Sequence, residues 1–123
     1  MRLTFDHLAL HVANVGKSLT FYAEILGLRI LPRPEFSFNG AWLQLDESLQ
    51  LHLIEGREQN TQSGSRSNHF AFVVEDVNTL EEKLRAQGVE IVVNKIRVDG
   101  VRQLFVKDPD GYFIEFNEGV RKN

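Results

Sequence analysis

Apolar and polar residues follow one pattern that occurs twice along the chain. Each copy begins with strand-like alternation, continues with apolar residues at helical spacing and ends with three short alternating stretches. The first copy predicts elements over residues 3–12, 15–26, 28–31, 38–45 and 49–54, and the second over 69–74, 77–87, 89–96, 101–106 and 112–117. The order strand, helix and three strands in both copies predicts an α+β fold with two tandem βαβββ modules.

Cap and turn residues support the bounds of the two helices. Asn14 can cap the first helix and Asp76 or Asn78 the second, and Gly27 and Gly88 lie where the helices should end. Between the copies runs a polar stretch without periodicity, which is typical of a linker. We therefore predict a single domain over residues 1–123, with module one at 4–55, a linker at 56–67, module two at 68–118 and a tail at 119–123.

Composition narrows the possible functions. A chain of 123 residues with 42% hydrophobic and 25% charged residues is typical of a globular domain. The net charge of −3 offers no basic surface for nucleic acid or an anionic membrane. The absence of cysteine excludes disulfides, thiolate metal ligands and a cysteine nucleophile.

The sequence also lacks the motifs of several other classes of protein. The sequence contains no signal-like start and no apolar run near the ~20 residues of a membrane span. It also lacks a phosphate loop, a dinucleotide fingerprint and a nucleophilic serine motif. We expect a cytoplasmic protein that binds a small molecule, with no nucleic-acid partner, no membrane partner and no nucleotide cofactor.

Residue types that bind metals occupy matching positions in the two copies. His7 and His69 open the first strand of each copy, within the pattern Asp/Asn-His-x-Ala. The last strands also match, LQLHLIE against YFIEFNE, and this alignment places His52 opposite Glu115. One strand histidine or glutamate is usually a half-buried or surface residue. Four related positions that all carry ligand types are much less expected by chance.

These four side chains suit one divalent metal ion. The histidines of the first strands share a face with a small alanine, opposite a bulky face that suits packing under a helix. An acidic residue within an apolar strand, as at Glu115, is costly unless it is paired or metal-bound. If the sheets curl toward each other, His7, His52, His69 and Glu115 converge. Three imidazoles and a carboxylate suit Zn, Ni, Mn or Fe and leave positions for water or substrate.

Other polar residues are weaker candidates. His11 has no histidine counterpart in the second copy, so it lines a cavity at most. Asp6 and Asn68 fit local backbone hydrogen bonds better than ligand binding. A further group fits a pocket and a structural role equally well: Arg33, Trp42, Gln44, Arg102 and Gln103.

The chain resembles the vicinal oxygen chelate superfamily, which includes glyoxalases, bleomycin-resistance proteins and extradiol dioxygenases. The matching motifs are Asp6-His7-x-Ala, Ser18-Leu-x-Phe-Tyr-x-x-x-Leu-Gly-Leu28, Asn68-His69-x-Ala-Phe and Asp108-Pro-Asp-Gly-Tyr-x-x-Glu115. The resemblance implies two βαβββ half-barrels that form a curved mixed sheet around a cup with a divalent metal, and a homodimer. The family's metal positions fall on His7, His52, His69 and Glu115.

Within the superfamily, the chain resembles glyoxalase I most in length and spacing. This implies a metal-dependent lyase or isomerase, in which the metal is a Lewis acid toward two vicinal substrate oxygens and Glu115 is the base. Glyoxalase I has glutamate where this chain has His52, so a shuttle between two carboxylates is not retained. The alternatives are a thiol transferase or dioxygenase with the His7, His69 and Glu115 triad, and a non-catalytic binder that sequesters a ligand.

Overall fold

The fold is taken from a computed structural model that describes residues 1–119. The chain divides into two compact units, Met1–Gln59 and the residues from Asn60 onward. The assignment of residues 1–123 to a single domain, with the module, linker and tail bounds given above, stays a prediction. Residues 120–123 of the predicted tail lie outside the described residues.

The first unit is one βαβββ module. Its four strands form a mixed sheet in the order β1-β4-β3-β2, in which β1 pairs with β4 in parallel and the other pairs are antiparallel. The elements are β1 (His7–Val12), α1 (Val15–Leu19), a π-helical segment (Thr20–Ile25), β2 (Ile30–Leu31), β3 (Gly40–Gln44) and β4 (Gln50–Glu55). The predicted helix over 15–26 is therefore α-helical only in its first half.

Strand alternation separates two faces of the first sheet. Leu10, Leu43 and Leu51 lie on one face and are buried, and α1 packs against β3 and β4. The consecutive aromatic residues Phe21 and Tyr22 are also buried, with their rings in edge contact. The opposite face carries the histidines of β1 and β4, as the alternation predicted, together with Trp42 of β3.

The second unit repeats the module. Its sheet has the order β5-β8-β7-β6, again with one parallel pair, β5 with β8, and two antiparallel pairs. The elements are β5 (Phe70–Val73), α2 (Val77–Ala86), β6 (Ile91–Ile96), β7 (Arg102–Lys107) and β8 (Phe113–Asn117). The predicted α+β fold with two tandem βαβββ modules is confirmed.

The two copies also share a helix-capping contact. The Glu55 carboxylate accepts a hydrogen bond from the Val15 backbone N–H at 2.9 Å, and Glu118 accepts one from Val77 at the same distance. A carboxylate at a helix N-terminus also interacts favourably with the helix dipole. Each module therefore fastens its helix to the end of its own last strand.

Among residues 1–119, no helix is both long enough and apolar enough to cross a membrane.

Candidate metal centre

Glu115 is a buried carboxylate in the middle of β8. It lies between Ala71 on β5 and Phe105 on β7, and only 5% of its surface is exposed. Its Oε2 accepts hydrogen bonds from Asn117 Nδ2 at 2.8 Å and from Gln103 Nε2 at 3.2 Å. Two amide donors therefore fix this oxygen, and the other oxygen, Oε1, faces a histidine ring.

The His69 ring lies 3.2 Å from Glu115, measured from Nε2 to Oε1. Its other nitrogen, Nδ1, faces the backbone oxygens of Gly64 at 3.1 Å and Ser67 at 2.9 Å. Carbonyl oxygens only accept, so Nδ1 carries the ring proton and Nε2 of the neutral ring is an acceptor. In the neutral ring two acceptor atoms would therefore face each other, and either a second ring proton or a metal cation would have to lie between them.

The spacing of these two atoms fits a metal. Ligand atoms bound at ~2.1 Å to one tetrahedral or octahedral cation lie about 3.0–3.4 Å apart. The observed 3.2 Å falls in that range. Backbone oxygens that fix the far nitrogen of a ligand histidine are also typical of metal sites. His69 and Glu115 therefore fit as half of a metal centre.

The polar segment before β5 builds the support for His69. Ser63 Oγ donates to Asn68 O at 2.7 Å and accepts from the Phe113 backbone N–H at 2.8 Å. Thr61 Oγ1 donates to Asp110 O at 3.0 Å, at the turn before β8. The sequence predicted only a linker here, because serine and threonine in a polar stretch do not reveal which backbone groups they bind.

The first unit brings the other two candidates together as a ring stack. The His7 and His52 ring centroids lie 4.0 Å apart with planes inclined by 15°, and Trp42 stacks on His52 at 4.3 Å and 6°. Asp6 Oδ2 accepts from His7 Nδ1 at 2.6 Å, and Gln50 Oε1 lies 2.8 Å from His52 Nε2. The prediction that Asp6 serves the local backbone missed its contact with the ligand-type histidine.

The stack limits how this pair can bind a cation. An imidazole lone pair lies in the plane of its ring, and nearly parallel planes 4 Å apart do not meet at bonding distance. His7 and His52 in this arrangement therefore do not share one metal ion. Burial lowers the pKa of His52, and the charge of His7 lowers it further. The neutral ring is the form that binds a metal.

Within each unit the predicted residues thus form a pair, His7 with His52 and His69 with Glu115. Across residues 1–119, no cluster of three or more His, Asp or Glu side chains has a metal-holding arrangement. Gln50 and Asn117 were not among the site residues predicted from the sequence. Both lie two positions from a candidate ligand on the same strand, so the strand period of two could have indicated them.

Comparisons with known proteins find relatives that match most of the chain. A model of the glyoxalase/bleomycin resistance protein/dioxygenase superfamily matches residues 4–116. The chain is 32% identical to glyoxylase I 4 of Arabidopsis thaliana, covering 91% of this chain and 68% of the relative. It is 31% identical to lactoylglutathione lyase of Haemophilus influenzae, covering 91% and 90%.

A thiol transferase is also among the relatives. Metallothiol transferase FosB of Bacillus licheniformis is 29% identical, with 95% of this chain and 76% of the relative covered. The solved structure of the fosfomycin resistance protein FosX from Listeria monocytogenes has the same fold. Its TM-score is 0.83 at 24% identity, with 98% of this chain and 94% of that chain covered. The chain belongs to the glyoxalase/bleomycin resistance protein/dioxygenase superfamily.

Proposed function

We propose that this protein is a divalent-metal-dependent lyase or isomerase that acts on a small substrate with two adjacent oxygens. The observation that carries the proposal is the 3.2 Å approach of His69 Nε2 to Glu115 Oε1, with two backbone oxygens at the other ring nitrogen of His69. The relatives named glyoxylase I 4 and lactoylglutathione lyase support this class of reaction. The metal ligands would be His7, His52, His69 and Glu115, and the metal Zn, Ni, Mn or Fe.

A bound metal would act as a Lewis acid that stabilises negative charge on the two neighbouring substrate oxygens. Glu115 is the proton carrier of the proposal. Its Oε2 is held by the amide donors of Gln103 and Asn117, so Oε1 would accept the proton from carbon after leaving the metal. The same oxygen returns that proton to the adjacent carbon, and the isomerisation gains and loses no atoms.

The histidines have separate supports in this proposal. Asp6 holds the proton of His7 on Nδ1, which leaves Nε2 to bind the metal. Backbone oxygens do the same for His69. His52 would join them by turning its ring out of the stack with His7 and Trp42.

Metal binding of the purified protein tests the proposal. We expect elemental analysis and titration calorimetry to find about one divalent ion for each set of the four proposed ligand residues. Glu115→Gln and His69→Asn should each weaken binding by roughly 10- to 100-fold or more. His11→Ala, which removes a histidine of the same strand as His7, is the matched control. The metal-loaded protein should isomerise a hemithioacetal, and a protein without useful metal affinity would refute the proposal.

The ring stack favours a second candidate, a thiol transferase that uses only His7, His69 and Glu115. In the stack His52 does not share a cation with His7, and the relative FosB is named a metallothiol transferase. His52→Ala separates the candidates. A three-ligand enzyme keeps its metal stoichiometry and turns over fosfomycin with a thiol. A four-ligand isomerase loses metal affinity and hemithioacetal turnover together.

The proposal includes the assembly and the location of the protein. We expect a homodimer with a small-molecule substrate, in the cytoplasm. Sedimentation equilibrium should give twice the mass of one chain, and a single-chain mass would contradict the dimer.

A further inference from the structure

The two modules differ at one hydrogen bond, where the first strand begins to pair with the last. In module one the Gln50 backbone N–H donates directly to Asp6 O at 3.1 Å. The repeat matches these two residues with Phe113 and Asn68 of module two. There the Phe113 N–H donates to Ser63 Oγ at 2.8 Å, and the same hydroxyl donates to Asn68 O at 2.7 Å. A hydroxyl group therefore lies between two backbone groups whose counterparts bond directly in module one.

The register of the second sheet leads to the same conclusion. In a parallel pair, alternate residues of each strand direct both backbone groups at the other strand. The Val74 N–H donates to Asn117 O at 2.8 Å, so even-numbered residues beside β5 bond odd-numbered residues of β8. Followed back two residues at a time, this ladder leads to a direct bond from the Phe113 N–H to Asn68 O. The Ser63 hydroxyl occupies the place of that bond.

The inserted hydroxyl changes where the two strands begin to pair. A direct bond spans about 2.9 Å between nitrogen and oxygen, whereas here two bonds in series separate these atoms. Pairing of β5 with β8 begins at Phe70, so His69 precedes the ladder. Its counterpart His7 is already paired with Gln50 in module one. The opened position thus lies beside His69 and two residues before Glu115.

We propose that Ser63 is a positioning residue that holds His69 and Glu115 at the separation which a divalent metal needs. The inference rests on the proposed function, because it concerns two of the proposed metal ligands. The ligand atoms lie 3.2 Å apart, the spacing of two ligands on one cation. The segment over residues 61–67 also orients the ring, since the Gly64 N–H donates to Asn68 O at 3.2 Å and Gly64 O faces His69 Nδ1. Ser63 thus acts through the backbone of both ligand strands.

Titration with Zn²⁺ tests the positioning role in three variants. Ser63→Ala removes the bridge and should weaken Zn²⁺ binding by roughly tenfold or more, as for other residues that support metal ligands. Ser63→Thr keeps the hydroxyl and should restore most of the affinity. Thr61→Val is the matched control, because it removes a hydroxyl of the same segment that donates to Asp110 O at 3.0 Å, outside the ladder. The control loses one hydrogen bond but should keep the wild-type affinity.

NMR of the metal-free protein tests the bridge itself. In Ser63→Ala the Phe113 N–H should exchange with solvent roughly tenfold faster, because it loses its partner. The Val74 N–H, at the other end of the ladder, should keep its wild-type rate. In wild type, scalar coupling across a hydrogen bond should join Val74 N to the Asn117 carbonyl carbon but not Phe113 N to that of Asn68. A coupling between Phe113 and Asn68 overturns the inserted hydroxyl, and this measurement needs no variant to fold.

Together these results separate the positioning role from the proposed function. Equal Zn²⁺ affinity in wild type and Ser63→Ala overturns the positioning role and leaves the function standing. An equal loss of affinity in Ser63→Ala and Thr61→Val also overturns it, because general loosening of the segment then explains both. A wild type without affinity for any of the four proposed metals overturns the function. Faster exchange of the Phe113 N–H in Ser63→Ala then still supports the bridge, and an unchanged rate overturns it as well.

Discussion

Replacing Glu115 with glutamine separates two roles of its carboxylate, that of a metal ligand and that of partner in a structural ion pair. An ion pair requires a protonated His69, whereas a ligand pair requires the neutral ring whose Nδ1 proton is held by backbone oxygens. In Glu115→Gln, the amide oxygen can still accept from Gln103 and Asn117. The new amide N–H then meets the Nε2 lone pair of His69. The substitution therefore keeps two hydrogen bonds and supplies a third.

The expected magnitudes follow from these contacts. With a chelator present, the free energy of unfolding of Glu115→Gln should lie within about 1 kcal/mol of wild type, since one neutral hydrogen bond contributes about that much. With metal at 100 times its Kd, wild type should gain about 2.7 kcal/mol. For a chain of this length that is a rise of roughly 10 °C in Tm. The variant should lose most of this rise.

Calorimetric unfolding with and without metal measures both quantities. Glu118→Gln is the matched control, because it changes a glutamate three residues away that caps α2 rather than facing His69. The control should keep the metal-dependent rise in Tm. Breaking a buried ion pair costs about 3–5 kcal/mol. A loss of that size in metal-free Glu115→Gln, or a metal-dependent rise equal to that of wild type, would refute the ligand role.

Three further substitutions test contacts that stabilise the fold. Ser63→Ala should lower the free energy of unfolding by about 1–2 kcal/mol in urea titrations, because the Phe113 N–H loses its partner; an unchanged midpoint would contradict this. Gly40→Ala should cost about 1–3 kcal/mol, since the new Cβ would lie 2.4 Å from Leu53 O; a variant as stable as wild type would disprove the clash. A hydrogen bond from Arg97 lowers the pKa of the Asp99 carboxyl to about 2, below its usual 3.8. This lowered pKa stabilises the fold above pH 3.8, and the contribution is lost as pH falls through 2. NMR titration should find the midpoint near 2, and Asp99→Asn should remove this part of the acid dependence.

The repeat explains why so much of the fold could be predicted from the sequence. Period-two alternation placed Leu51 and Leu53 on the core face and His52 on the other, and the structure has them there. Gly27 and Gly88 both adopt positive φ near 79° just after their helices, as the matched positions predicted. Such features depend on neighbours within one element, where residue spacing alone determines which side chains share a face.

Contacts between elements were harder to predict. Nothing in the spacing of Ser63 or Gly64 indicates that this stretch supports His69 and β8, because the contact depends on how a segment without periodicity folds back. The same holds for the amide donors of Glu115. Register places Gln103 opposite Asn117, but the pairing of β7 with β8 had to be known first. Long-range pairing and loop conformation therefore account for most of what the sequence left open.

His52 differs from the other candidate ligands in what fixes its ring. Asp6 sets the proton of His7, and two carbonyl oxygens set that of His69, so both histidines present a defined nitrogen. For His52, Gln50 Oε1 lies 2.8 Å from Nε2, and flat aromatic contacts bound both ring faces, His7 on one side and Trp42 on the other. Because rotation within its plane keeps the His52 ring parallel to that of His7, His52 could bind the same metal only by leaving the stack. The number of ligands at the proposed site therefore depends on the conformation of this side chain as well as on the identity of the residue.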